Sequence, residues 1–443
     1  MAPLLALLAL GAETSRAAPE LPPINFTVAF LGDQGLSSRD PDAEAVLRLI
    51  ATEGADAVVH SGDFDYRNDP AAWDAQITSV LGENFPYFAS VGNHDRSRFY
   101  ASGGYQELLE ARLSRLGISW QGDLGVQSSL RYAGLFFVLT APDVFGAGDG
   151  FHDLYIRDTL AADDSIWRIS SWHKNMRRMQ TGGKSDETGW GVYEESRRGA
   201  AIIVTGHEHS YARTHLMSRF ETQEVASTEN TLVLRRDDPS TPEDEGRGFA
   251  VVSGMGGKSV RAQKRGGPWW ASIYTRTQGA SSGALFGVFH HEGHPRLAYF
   301  YFKDIAGNVP DQFFVESASG LGPECADGLD NDADGGIDFD PATIAGLDQG
   351  SDGLMGRGDP ACESSDSPSE SAECQDGIDN DLELGIDFDG GESIWAVAVD
   401  QADPECLGAP WWDAEALPEP ELGVLSLVGL VVARALSQQR CRN

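Results

Sequence analysis

Basic residues are scarce in this chain. Its 443 residues contain 33 Lys and Arg against 68 Asp and Glu, which gives a formal net charge of −35. A general nucleic-acid-binding protein needs a basic face, so this balance argues against that class of function. The excess of acidic residues is concentrated in one region. Residues 320–421 hold 28 acidic residues and a single basic residue, Arg357. We therefore expect a domain boundary near residue 318.

Cysteine is absent from the first 324 residues. Four of the five cysteines lie in the acidic region, at positions Cys325, Cys362, Cys374 and Cys406. An even set of cysteines in a segment with few apolar residues predicts two disulfides and an oxidising compartment.

The chain also lacks a long apolar run near its N-terminus. The run from Leu4 to Leu10 is short, and Ser15-Arg16-Ala17 follows it as a small-x-small site. This pattern predicts a signal peptide over residues 1–18, and therefore export. No Lys or Arg precedes the run, so a buried N-terminal helix is the alternative.

From Ile24 onward, apolar strand patterns alternate with amphipathic helix patterns. The stretch INFTVAFL predicts a strand, and Asp40-Pro41 predicts a helix start with Asp as N-cap and Pro in the first turn. An apolar face and then Gly54 complete this helix. The alternation indicates an α/β domain over residues 24–316.

Polar clusters follow five of the predicted strands. They are GDQG, GDFDY, GNHD, His173 after WRISSW, and GHEH. A single Asp after a strand is usually a turn residue or a helix cap. Five such clusters favour a metal site instead, because ligands gather at the carboxyl ends of strands and Asp, Asn and His bind metal ions. Two carboxylates with three histidines suit two metals better than one.

These five blocks, in this order, resemble the calcineurin-like metallophosphoesterases, and more narrowly the purple acid phosphatases. The resemblance covers residues 24–314 and implies a four-layer α/β/β/α sandwich. The narrower assignment depends on Gly35, which stands where most of the superfamily has a metal-binding His, and on Tyr66, where purple acid phosphatases have a tyrosine ligand. A phenolate is a hard, anionic donor that favours Fe(III). A packing or substrate-loop tyrosine is the alternative.

The resemblance implies a dinuclear centre of Fe(III) with divalent Fe, Zn or Mn. Its trivalent iron would be held by Asp33, Tyr66 and His209, its divalent metal by Asn93, His173 and His207, and Asp63 would bridge the two. His152 is the alternative to His173 as a ligand of the divalent metal. It lies in a Gly- and Asp-rich loop, which predicts a surface position. His207 and His209 would point to one side of an extended segment, so a bend is needed, and Gly206 permits one.

The resemblance places His94 beside the metals, where it would contact the phosphate and protonate the leaving group. Asp95 could orient the His94 ring. VVSGMGGKS, from Val251 to Ser259, resembles the glycine-rich loop of the family; a strand ending in a flexible turn is the alternative. The implied reaction is hydrolysis of phosphate monoesters by a metal-activated hydroxide, as in an acid phosphatase.

The acidic region contains an internal repeat. ECADGLDNDADGGIDFD, over 324–340, is similar to ECQDGIDNDLELGIDFD, over 373–389, and a DPxC follows each. In the first copy, Asp330, Asp332 and Asp334 match the start of a calcium loop, whereas the second copy is degraded. We expect calcium at the first copy and the disulfides Cys325–Cys362 and Cys374–Cys406 across residues 320–408. A disordered acidic linker is the alternative.

Residues 418–443 resemble the Pro-Glu-Pro sorting tails that exosortases process in Gram-negative bacteria. This resemblance implies an exosortase-type partner, transient membrane contact, and a periplasmic, cell-surface or extracellular location. The apolar run of the tail, Leu422 to Ala433, is short for a spanning helix, so an amphipathic C-terminal helix is the alternative. For the whole chain, a phosphodiesterase and a calcium-binding surface protein with a vestigial phosphatase domain stay open beside the monoesterase.

Overall fold

The computed structural model describes residues 20–237 and 245–318. Several predicted features lie outside the described residues: the signal peptide, the calcium ligands Asp330, Asp332 and Asp334, the two disulfides and the sorting tail. Among the described residues, no helix is both long enough and apolar enough to cross a membrane.

The elements are numbered along the chain. The strands are β1 Phe26–Leu31, β2 Ala57–His60, β3 Tyr87–Ala89, β4 Trp120–Asp123, β5 Gln127–Tyr132, β6 Leu135–Thr140, β7 Trp167–Trp172, β8 Ile202–Thr205, β9 Tyr211–Thr214, β10 Leu216–Arg219, β11 Glu224–Ser227, β12 Thr231–Asp237, β13 Glu245–Arg247, β14 Ala250–Ser253, β15 Trp270–Tyr274, β16 Gly283–His291, β17 His294–Asp304 and β18 Asp311–Ser317. The helices are α1 Asp42–Thr52, α2 Pro70–Leu81, α3 Arg96–Phe99, α4 Tyr105–Arg115, α5 His152–Ala161 and α6 Gly191–Arg198, with 3₁₀ turns at Arg177–Met179 and Arg276–Gln278.

Within the described residues, the strands form two large mixed sheets and a small β10–β11 pair. The first sheet has the order β13-β12-β18-β17-β16-β1-β2-β3, and the second has the order β15-β9-β14-β8-β7-β6-β5-β4. The strands that carry the polar clusters run parallel: β1 with β2, β2 with β3, and β7 with β8. The predicted α/β class, with two large mixed sheets, is confirmed.

The side chains of β17 show how the first sheet is covered. Tyr301 and Lys303 point to one face, where both contact the Glu53 carboxylate at the end of α1. Phe300 and Phe302 point to the other face, where their rings lie against Phe249 and Tyr211 of the second sheet. The period-2 alternation of a strand thus puts helix α1 and the second sheet on opposite sides.

The second sheet alternates in the same way. Phe136 and Val138 of β6 belong to the apolar cluster that α5 and α6 cover, whereas the ring of Phe137 lies 4.8 Å from that of Phe88 in the first sheet. The central strands of both sheets are therefore buried on both faces, and WRISSW and LFFVLT are buried along their whole length.

Polar contacts join the carboxyl ends of the two sheets. The Ser61 and Ser171 hydroxyls lie 3.1 Å apart, and the Ser253 hydroxyl donates to the Phe30 carbonyl. These contacts bring the loops after β1, β2, β7, β8 and β14 to one shared edge.

The start of α1 differs from the expected cap. The helix begins at Asp42 with Pro41 as its N-cap residue and no side-chain cap. The Asp40 carboxylate accepts from Lys258 Nζ at 2.9 Å instead, so a long-range ion pair takes the place of the local hydrogen bond.

Candidate metal centre

Five of the predicted ligands lie within four residues after a strand, at the shared edge of the sheets. Asp33 follows β1, Asp63 follows β2, His173 follows β7, and His207 and His209 follow β8. All five side chains are buried, between 0% and 4% exposed. Burying this many ionisable groups is costly unless they pair or bind metal ions.

Three of the predicted iron ligands converge on one point. The Tyr66 hydroxyl donates to Asp33 Oδ1 at 2.6 Å and lies 3.2 Å from His209 Nε2. His209 Nε2 is in turn 3.3 Å from Asp33 Oδ1. The structure therefore brings together the three residues that the sequence resemblance assigned to the trivalent metal.

A second group consists of Asp63, His173 and His207, whose ligand atoms lie within 4.8 Å of one another. His173 Nε2 is 3.2 Å from Asp63 Oδ2 and 3.0 Å from His207 Nδ1. The two groups adjoin, because the backbone N–H of His207 donates to Asp33 Oδ2 at 2.7 Å.

Backbone carbonyls orient two of these histidines. His173 Nδ1 lies 2.7 Å from the Ser61 carbonyl, and His209 Nδ1 lies 2.8 Å from the Ser259 carbonyl. Because a carbonyl only accepts, each Nδ1 carries a proton, and in the neutral ring Nε2 is the free electron-pair donor. This tautomer is the one that a metal ligand requires.

His207 is oriented the other way round. Its Nδ1 faces His173, while its Nε2 lies 2.8 Å from Glu187 Oε2 and 2.9 Å from Lys184 Nζ. Glu187 and Lys184 were missed in the sequence, because they lie in a polar loop with no strand pattern beside it. Only their contact with His207 identifies them.

The bend that separates His207 from His209 occurs at His207 itself, with φ of 69°. We expected the bend at Gly206. Glycine is needed there for a different reason, because a Cβ would lie only 3.0 Å from Asp33 Oδ2. Left-handed backbone also occurs at Asp33, Asp63 and Tyr66. Such strained conformations persist where surrounding contacts fix them, and they cluster at functional sites.

Asn93 lies four residues beyond the end of β3, and its Oδ1 is buried without a hydrogen-bond partner among the described residues. A buried amide oxygen without a partner is costly, and a cation would satisfy it. This oxygen, together with carboxylate, phenol and imidazole donors, fits oxygen- and nitrogen-binding metal ions.

Electrostatics in the metal-free chain also fits a cation. Burial raises the pKa of Tyr66 well above its usual value, and the Asp33 and Asp63 carboxylates raise it further. Burial alone would raise the pKa of Asp33, but His209, His173 and the Tyr66 hydroxyl lower it more. Tyr66 is therefore a phenol next to a carboxylate until a cation replaces its proton.

His94 lies at the mouth of the site. Its ring is about half exposed, with Nε2 3.9 Å from Asp63 Oδ2, and it lies against the Tyr66 ring at 4.6 Å between centroids. Its backbone N–H donates to Asp63 Oδ1 at 2.9 Å. The imidazole can therefore reach a group bound at the site from the solvent side.

Asp95 does not orient the His94 ring as we expected. Its buried carboxylate accepts the backbone N–H groups of Asp63, Phe64 and Gly92, each at 2.8 Å. Burial and the nearby Asp63 carboxylate raise the pKa of Asp95, whereas the Phe64 and Gly92 N–H groups favour its ionised form. Asp95 thus holds the two ligand-bearing turns together and is not in contact with a reacting group.

The remaining sequence interpretations have mixed outcomes. The loop after β14 lies against the site, because the backbone N–H of Lys258 donates to the Asp33 carbonyl and the Lys258 ammonium lies 4.8 Å from the Tyr66 ring centroid.

His152 is not a surface residue: it is buried at the start of α5, with Nε2 2.9 Å from the Phe145 carbonyl. Gly35 has φ of 83°, a conformation that favours glycine.

One family profile matches part of this chain. The family profile described as calcineurin-like phosphoesterase matches residues 26–211. The matched residues include every candidate metal ligand. No curated protein sequence matches the chain.

Several solved structures are similar to the chain at low identity. A purple acid phosphatase from yellow lupin (Lupinus luteus) seeds shares 18% identity over 68% of this chain and 55% of its own, with a TM-score of 0.49. This chain therefore spans about half the length of the lupin protein. A Plasmodium protein described as the anchor in the inner membrane complex shares 11% identity over 66% and 89%, with a TM-score of 0.43. A dimetal phosphatase from Danio rerio shares 10% over 67% and 100%, with a TM-score of 0.30.

Proposed function

We propose that this chain is a dinuclear-metal phosphoesterase of the purple acid phosphatase type, and that it hydrolyses phosphate monoesters. The observation that carries this proposal is the pair of adjoining ligand groups at the shared sheet edge. One contains the Tyr66 hydroxyl with Asp33 and His209, and the other contains Asp63, His173 and His207.

In this proposal, Asp33, Tyr66 and His209 would hold a trivalent iron. Asn93, His173 and His207 would hold a divalent metal, and Asp63 would serve both. When bound, such ions polarise phosphoryl oxygens and supply a nucleophile from water near neutral pH. The ligand set supports iron at the first position because a phenolate is a hard anionic donor.

Other groups of the chain would donate a proton, orient the histidine ligands and position the ligand-bearing turns. His94, half exposed at the mouth, is placed to donate a proton to the departing ester oxygen. The Ser61 and Ser259 carbonyls keep the Nε2 atoms of His173 and His209 free for binding. Asp95 fixes the turns that carry Asp63 and Asn93.

Metal analysis of the purified protein, combined with assays on phosphate monoesters and diesters, tests this function. We expect about two metal ions per chain and higher turnover of monoesters. Calcium as the sole bound metal would contradict the proposal, and faster diester hydrolysis would make the protein a phosphodiesterase.

The iron assignment has a separate test in the visible spectrum. A phenolate bound to Fe(III) absorbs visible light, so Tyr66→Phe should remove the band while far-ultraviolet circular dichroism stays unchanged. Tyr105→Phe, which alters another buried tyrosine, is a matched control that should keep the colour. Colourless wild-type protein with two zinc ions would refute the iron assignment and leave the phosphoesterase assignment standing.

A further inference from the structure

A cleft of about 700 Å³ lies among residues of the loops after β7 and β14 and around helix α6. This volume is within the range of small-molecule binding sites. The residues that give the cleft its chemistry are three arginines and three tryptophans: Arg177, Arg178, Arg265, Trp190, Trp269 and Trp270.

The cleft and the metal centre share one segment of chain. Asp186 lines the cleft, and the next residue, Glu187, reaches His207 with its carboxylate. Lys184 provides a second link, because its Nζ lies 2.9 Å from His207 Nε2. Arg265 strengthens this connection, because its guanidinium donates to the carbonyls of Gly183 and Lys184.

The arginines make the cleft suitable for an anion. The exposed Arg177 side chain has no hydrogen bond or ion pair within the described ranges, so its five N–H donors remain available. Asp186 and Glu221 also line the cleft, but one Asp186 oxygen already accepts the Arg177 backbone N–H. The three arginines outnumber the two carboxylates, so the lining carries a net positive charge in a chain whose overall charge is −35.

The tryptophans add flat apolar surface beside these charges. Trp269 is fixed in place, because its indole N–H donates to the Arg178 carbonyl and the Arg178 guanidinium lies 5.8 Å from its ring centroid. Trp and Arg planes stack favourably on aromatic rings. A ring with an acidic substituent would use both kinds of group at once.

We propose that this cleft binds the organic part of the substrate and selects phosphate esters whose leaving group is a flat aromatic ring with a second negative charge. The inference rests on the proposed function, because the phosphate would lie at the metal centre while the ring and its charge enter the cleft. No residue of the cleft is one of the candidate metal ligands.

Three esters test the selection: glycerol 2-phosphate, 2-naphthyl phosphate and 6-carboxy-2-naphthyl phosphate. For the wild-type protein, kcat/KM should rise in that order. In Arg177→Gln, the ratio of kcat/KM between the two naphthyl esters should fall by roughly 3- to 10-fold, as expected for one partly exposed ionic contact. In Trp269→Leu, the preference for 2-naphthyl phosphate over glycerol 2-phosphate should fall.

Arg48→Gln is the matched control, since Arg48 is an exposed arginine paired with Glu44 on helix α1. It should leave both preferences at the wild-type values. Hydrolysis of all three esters at similar kcat/KM, or unchanged preferences in Arg177→Gln and Trp269→Leu, would overturn the inference while leaving the phosphoesterase function intact.

A binding assay separates the cleft from catalysis. Metal-free protein should bind 2,6-naphthalenedicarboxylate with quenching of tryptophan fluorescence, and Arg177→Gln should weaken this binding by a similar factor. If no ester is hydrolysed, the proposed function is refuted, but this assay still tests whether the cleft binds an aromatic anion. Equal binding by the wild type and Arg177→Gln would refute the role of the cleft.

Discussion

Replacing Asp95 by Asn should destabilise the protein and weaken metal binding, although Asp95 is not a candidate metal ligand. Its carboxylate accepts three backbone N–H groups: Oδ2 accepts from Asp63 and Gly92, and Oδ1 accepts from Phe64. An Asn side chain has one carbonyl oxygen and one NH₂ group. It can satisfy two of these donors but turns a donor toward the third.

The magnitude follows from counting donors that lose their acceptor. A buried N–H without a partner costs about 1–3 kcal/mol, so Asp95→Asn should lower the free energy of unfolding by about 1–3 kcal/mol. Asp95→Ala leaves all three donors unpaired and should cost roughly 3–9 kcal/mol by the same reasoning. Domains have only about 5–15 kcal/mol to lose, so Asn is the more informative variant.

Urea unfolding of the metal-free protein measures this cost, and metal titration followed by atomic spectroscopy measures affinity. The turn that presents Asp63 should shift in Asp95→Asn, so affinity should fall together with stability. If Asp95 instead acted only by orienting His94, the variant would keep wild-type stability and metal content and lose only turnover. That result would refute the structural role derived from the three hydrogen bonds.

Three further predictions follow, two from the same geometry and one from the sequence of the acidic region. His94→Ala should keep its metal content and lower turnover by roughly 10²–10⁴-fold, the usual contribution of a positioned acid; loss of metal would make His94 a ligand. Gly92→Ala should prevent metal binding, because a Cβ there would lie 2.1 Å from the Asp63 backbone nitrogen. Gly103→Ala, where the space is open, should cost only about 1–2 kcal/mol, and equal effects would contradict this contrast. In the isolated fragment 320–421 with its disulfides formed, calcium should bind the first repeat and protect it from proteolysis; equal digestion with and without calcium would contradict the calcium loop.

Local patterns located the elements well where a strand is buried on both faces. WRISSW was predicted as a strand and is β7 over its full length. INFTVAFL begins two residues before β1, whose first residue is Phe26. Apolar runs that end in polar clusters identify such strands because the neighbouring layers require continuous apolar surface.

The contacts of individual side chains were less accessible to sequence reasoning. His152 lies in a loop rich in Gly and Asp, yet it is buried against the Phe145 carbonyl. Asp95 follows His94 directly, yet its carboxylate points to the turn that follows β2. Neighbours in sequence need not be neighbours in space, because consecutive side chains in a turn diverge.

By itself, the sequence determined the chemistry available to this protein. The five polar clusters show which oxygen and nitrogen donors follow which strands. The joint occurrence of Gly35 and Tyr66 indicates a tyrosine among those donors. Only the tertiary structure decided how those donors meet. The Ser61–Ser171 and Ser253–Phe30 contacts join two sheets whose strands are far apart in the chain. The contact of Glu187 with His207 and the position of Arg177 in the cleft depend on that packing. Local sequence periodicity does not indicate which loop will lie against the candidate metal centre.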